Sequence, residues 1–122
     1  MGNAAIKVLV LEDQPLIALD IEDALSSSGF KNINVISSCA DAEKWLESNN
    51  PDFAVIDVHL RDGICSNVAQ ILVDNDVPFI VHSALDTHYS GDGSIFTKGR
   101  WLSKPSPPGR LAFVVQETLG AS

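Results

Sequence analysis

Residues 53–63 read FAVIDVHLRDG, and the reading of this stretch decides the fold. Phe53-Ala54-Val55-Ile56 is apolar at every position, without the alternation of a half-exposed strand. That pattern belongs to a strand covered on both faces, as in a parallel sheet. The run closes on Asp57, and Arg61-Asp62-Gly63 then breaks the chain. A buried strand ending on a carboxylate presents it at the carboxyl edge of the sheet, where open α/β folds bind ligands.

Working outward, Ile64, Val68, Ile71 and Leu72 recur at i, i+4, i+7 and i+8, which predicts a helix ending near Asp74. Upstream, Ile6 to Leu11 (IKVLVL) reads as a first strand stopped by Glu12-Asp13. Pro15 to Ser28 follows as a helix, with Ile17, Ile21, Ala24 and Leu25 on one face and Gly29 as its stop. Ile33 to Ile36 is a short strand. Asp41 to Ser48 is a short helix carrying Ala42, Trp45 and Leu46, and Asn49 to Asp52 is a turn. Downstream, Pro78 to Val81 and Gly99 to Ser103 read as fourth and fifth strands, and Pro107 to Leu119 as a terminal helix. Asp86 to Lys98 (DTHYSGDGSIFTK) has two glycines and no apolar stripe, which predicts a short, frayed or irregular segment. Strand and helix alternate, so the class is α/β with a parallel sheet covered on both faces.

The 122 residues suit one domain, 1–122 with a core of about 6–119, and no output domain is expected. Sixteen acids against eight bases leave a net charge of −8, which argues against binding along a nucleic-acid backbone. Lys98, Arg100, Lys104 and Arg110 are half of the basic residues, either a solvated face or a docking surface for a partner. Cys39 and Cys65 have no metal-ligand spacing and sit among apolar residues, so two reduced, packed thiols are expected. No stretch resembles a signal peptide or approaches the roughly 20 apolar residues of a membrane span, so the expected compartment is the cytoplasm.

Polar groups gather at the ends of four predicted strands: Glu12 and Asp13, Asp57, Ser83 and Lys104. Crowded carboxylates repel, and a hard divalent cation relieves that repulsion. Mg²⁺ prefers oxygen ligands, which suits Asp13, Asp57 and an outer Glu12. A carboxylate nucleophile can accept a phosphoryl group, a reaction that needs mainly positioning and charge neutralisation. Lys104 supplies a positive charge and Ser83 a hydroxyl. His59, His82 and His88 do not form a convincing metal set.

Glu12-Asp13, Asp57 with Leu60 and Gly63 in DVHLRDG, Ser83-Ala84 and Lys104-Pro105, in this order and spacing, resemble the bacterial response-regulator receiver domain, of the single-domain type. The resemblance covers about Ile6 to Leu119. It implies a flavodoxin-like, doubly wound sheet of order 2-1-3-4-5, with two helices on one face and three on the other. It implies that Asp57 accepts the phosphoryl group from a phosphohistidine donor, on a histidine kinase or a histidine phosphotransfer protein. Glu12, Asp13, Asp57 and the His59 backbone carbonyl would hold Mg²⁺, Ser83 and Lys104 would bind the phosphate, and Lys104-Pro105 would be a cis peptide. Trp101 matches the switch aromatic, acting with Ser83. Output would pass to a downstream protein, or the domain would serve as a phosphate relay or sink. It would be a monomer or weak dimer that catalyses only its own phosphorylation and dephosphorylation.

The chain departs from the family pattern at Arg61, where many receivers carry proline, and at Thr97 to Arg100, where small residues are usual. The poor helix at 86–98 departs furthest, and phosphorylation is expected to order it. Two rival readings stand beside this one. A pseudo-receiver would bind proteins without phosphorylation. A phosphatase of the haloacid dehalogenase type would carry a DxD motif after the first strand, where this chain has Glu12-Asp13-Gln14.

Overall fold

The structure, a computed structural model, describes residues 5–83, 95–96, 98–103 and 108–120. Five parallel strands form the main sheet: β1 (Lys7–Leu11), β2 (Asn32–Ile36), β3 (Phe53–Ile56), β6 (Phe79–Ser83) and β7 (Arg100–Ser103), in the order β2-β1-β3-β6-β7. Between β3 and β6, two-residue strands β4 (His59–Leu60) and β5 (Gly63–Ile64) pair antiparallel in a small hairpin. Counted along the chain, the five parallel strands stand in the expected order 2-1-3-4-5.

Side chains alternate across the sheet with the period of two that strands impose. Val8, Val10, Phe53, Val55, Ile80 and Leu102 point to one face. There they meet Ile21 and Leu25 of α1 (Pro15–Ser27) and Leu111, Val114 and Val115 of α4 (Pro108–Gly120). Leu9, Leu11, Ala54, Ile56, Phe79 and Val81 point to the other. They meet Ala42 of α2 (Cys39–Leu46) and Val68, Ala69 and Leu72 of α3 (Ser66–Asp74). Each face thus carries two described helices. The further helix expected between the fourth and fifth strands falls on a segment largely outside the described residues. Its last part is described: Phe96 is fully buried in the α2/α3-face core, although no apolar stripe announced it.

The starts of α2 and α3 differ from expectation. α2 begins at Cys39 rather than Asp41, because Ser38 caps it: the Ser38 Oγ accepts from Asp41 N at 3.1 Å. α3 begins at Ser66 and so leaves out Ile64, the first residue of the expected stripe, because Gly63 and Ile64 are taken by the hairpin. The hairpin turns at Arg61-Asp62, and Gly63 opens β5 with a φ of 125° that only glycine adopts without strain; space is not the reason, since nothing lies within 4 Å of where its Cβ would stand.

Cys39 and Cys65 are joined by a disulfide, with Cα atoms 5.2 Å apart. This corrects the expectation of two reduced thiols. Apolar neighbours say that a cysteine is buried, but not what it is buried against. Here the start of α2 meets the residue preceding α3.

Candidate functional site

Sheet hydrogen bonding continues one step past the strands and builds the site. Leu11 pairs with Ile56, and beyond that pair Asp57 N donates to Leu11 O at 3.1 Å. On the other side of β1, Glu12 N donates to Ile36 O at 3.1 Å. The backbones of Glu12 and Asp57 are therefore held side by side at the carboxyl edge. Ile56 pairs with Val81, which brings the end of β6, with Ser83, to the same edge. Ser83 in turn pairs with Ser103, the last residue of β7.

Glu12 is 2% exposed, Asp57 7% and Ser83 1%, whereas Asp13 is half-buried and His59 exposed. The Glu12 Oε2 accepts from Gln14 N at 3.2 Å, turning that carboxylate back toward the start of α1. The Asp57 Oδ1 accepts from His59 N at 3.4 Å. Four of the expected residues, Glu12, Asp13, Asp57 and Ser83, thus share one edge of the sheet with the backbone of His59. Lys104 and the Lys104-Pro105 peptide lie outside the described residues. Trp101 is half-buried against the α2/α3-face core, and its Nε1 is buried without an acceptor among the described residues.

The donors are carboxylate and carbonyl oxygens, the ligands Mg²⁺ takes, and Mg²⁺ ordinarily uses one or two carboxylates and keeps several waters. By residue type the set suits such an ion, while among the described residues no group of three or more His, Cys, Asp or Glu side chains is arranged to hold a metal.

The loop from Val58 to Cys65 is anchored by a residue the sequence reading passed over as a chain break. Both oxygens of Asp62 accept from the first amides of α2, Cys39 N at 2.9 Å and Ala40 N at 3.0 Å. Those backbone hydrogen bonds, chiefly the one from Cys39, hold the Asp62 carboxyl below its ordinary pKa. Arg61 Nη2 donates to Ser37 Oγ, and Cys65 N to Val58 O at 3.0 Å. An aspartate that caps a helix starting 23 residues before it leaves no local sequence signal.

Of the basic residues near the carboxyl end, Arg100 is paired with Glu117 at 2.6 Å and Arg110 lies over the exposed Phe113 ring at 5.8 Å. No described helix is long and apolar enough to cross a membrane.

No family model matches the chain. The chain is 29% identical over 121 residues to the phyllosphere-induced regulator PhyR of Methylorubrum extorquens, covering 97% of this chain and 45% of PhyR. It therefore spans just under half the length of that relative. The solution structure of SdrG from Sphingomonas melonis Fr1 superposes with a TM-score of 0.73 at 28% identity, covering 97% of this chain and 96% of SdrG. The receiver domain of the Pseudomonas aeruginosa sensor histidine kinase PA1611, which holds a magnesium ion in its active-site cleft, superposes with a TM-score of 0.76. That match is at 22% identity and covers 96% of this chain and 99% of the receiver, a likeness of fold. With its strand order, its acidic carboxyl edge and these relatives, the chain belongs to the response-regulator receiver domains of two-component signalling.

Proposed function

We propose that this receiver carries its signal as a phosphoryl group on Asp57. The observation that carries the proposal is the hydrogen bond from Asp57 N to Leu11 O, which fixes Asp57 beside Glu12 and Asp13 at the carboxyl edge. The donor is a phosphohistidine on a histidine kinase or a phosphotransfer protein. An Asp57 oxygen bonds to phosphorus as the P–N bond breaks, and the released imidazole nitrogen keeps the electron pair and takes up a proton. Ser83 offers a hydrogen bond and Lys104 a charge to the phosphoryl oxygens. Glu12, Asp13, Asp57 and the His59 carbonyl would hold Mg²⁺, which supplies charge neutralisation at those oxygens. The exposed His59 side chain, two residues beyond the acceptor, governs the access of water and so the lifetime of the adduct. Trp101, on β7 beside the β6 strand that ends in Ser83, relays the change to a protein partner.

A second reading is favoured by the burial of Asp57, which is 7% exposed and already accepts from His59 N. It is a pseudo-receiver that binds a protein without being phosphorylated. Intact mass after incubation with acetyl phosphate and Mg²⁺, beside Asp57→Asn and an EDTA control, decides between them. One phosphoryl adduct on the wild type alone, lost with EDTA, supports the acceptor. If acetyl phosphate gives no adduct, a phosphorylated histidine kinase is tried next, and failure there supports the pseudo-receiver.

A further inference from the structure

The loop that follows Asp57 is tied to α2 in three ways: by the Asp62 carboxylate on Cys39 N and Ala40 N, by Arg61 on Ser37, and by the Cys39–Cys65 disulfide. The first two are hydrogen bonds at the surface. The third is covalent and reversible. We infer that Cys39 and Cys65 form a thiol–disulfide modification site that locks the Val58–Cys65 loop against α2 when oxidised and releases it when reduced.

Three observations support this. The Cα separation of 5.2 Å lies in the ordinary range for a disulfide, so this backbone accommodates the bond. In this disulfide-bonded form Cys39 Sγ lies 3.4 Å from the Gly63 carbonyl oxygen, which would accept the thiol proton once the bond is reduced. Both residues are buried but not equally, Cys39 being 7% exposed at the start of α2 and Cys65 1% exposed, so Cys39 is the nearer to solvent. In a reducing compartment thiols are kept reduced, and disulfides there are mostly transient or sensing.

The oxidant is a small disulfide such as glutathione disulfide. The Cys39 thiolate attacks one of its sulfurs, forming a mixed disulfide and releasing one glutathione thiolate. The Cys65 thiolate then attacks Cys39 Sγ and releases the second. Two thiol protons are given up, the protein sulfurs lose two electrons, and two glutathione thiols are formed.

Only the consequence for phosphorylation rests on the acceptor reading of Asp57. The test therefore begins with readouts that do not use it. The chain is equilibrated across a series of reduced and oxidised glutathione, trapped with an alkylating agent and weighed, and hydrogen exchange is followed in both forms. The expected result is an interconversion within the series. On reduction the Cys39, Ala40 and Cys65 amides exchange at least about tenfold faster, while Leu9, Val10 and Val55 stay protected. Cys39→Ser/Cys65→Ser should match the reduced wild type. A pair that stays in one state across the series, or loop exchange that is equal in both forms, overturns the inference. Acetyl phosphate labelling of both forms completes the test: a rate that differs at least about threefold extends the switch to the acceptor. An adduct in neither form counts against the acceptor reading and leaves the exchange result to stand.

Discussion

Replacing Gly99 with alanine tests the packing of the sheet edge that carries Trp101. A Cβ built on Gly99 stands 2.5 Å from Cδ2 of Phe79 and 2.8 Å from its carbonyl oxygen, both inside contact distance. Phe79 is buried in the α2/α3-face core, and its carbonyl belongs to β6, so neither obstacle is a free side-chain end. The Gly99 backbone does not have a positive φ, so alanine brings no dihedral penalty. It gains about 0.4–1 kcal/mol by restricting the unfolded chain. Overpacking of a filled core costs about 1–3 kcal/mol, and the backbone obstacle argues for the upper part of that range. The expected net loss is about 2 kcal/mol. Scaled to 122 residues, the unfolding entropy is about 0.26 kcal/mol/K, so the melting temperature should fall by about 8 °C. Thermal and urea unfolding measure it. Phe79→Leu/Gly99→Ala removes the ring obstacle but not the carbonyl, so the double variant should recover part of the loss and show coupling between the two sites. Gly99→Ala within about 0.5 kcal/mol of wild type would refute the reasoning.

Three further outcomes follow from the loop and the surface. Backbone hydrogen bonds lower the folded-state pKa of Asp62 below 3.8, so its contribution is fully present above 3.8 and is lost as pH falls through the folded value. Asp62→Asn should lower the urea midpoint at neutral pH and flatten its fall below about pH 4, and an unchanged acid limb would count against the cap. The Cys39–Cys65 bond spans 26 residues, for which the chain-entropy model gives about 3.5 kcal/mol; reduction should lower the melting temperature by about 13 °C, read by calorimetry with and without a reductant. The Arg100–Glu117 pair is two-fifths exposed on both sides, so Arg100→Ala should cost no more than about 0.5 kcal/mol, and a loss above about 1 kcal/mol would mean that the pair is better ordered than a surface bridge.

The order of the elements and the identity of the buried faces are legible in the residues alone, because both rest on local periodicity. The unbroken apolar run Phe53–Ile56 announces a strand covered on both sides, and all four residues are buried. The stripe Val68, Leu72 announces the buried face of α3, and both are core residues. The placement of Glu12, Asp13, Asp57 and Ser83 at one edge follows from strand ends in a parallel sheet, and the ladder past Leu11 and Ile56 holds the first and third of them there. What periodicity cannot express is which loops meet. Asp62 caps α2 across 23 residues, Cys39 meets Cys65 across 26, and buried Phe96 joins the α2/α3-face core from a segment whose sequence shows no stripe. Each depends on where distant turns are brought by the packed sheet. Residue type and spacing thus determine the strands, the helices and the acidic edge, while the tertiary structure decides how the loop behind Asp57 is held, because that loop's partners lie far away in sequence and near only in the fold.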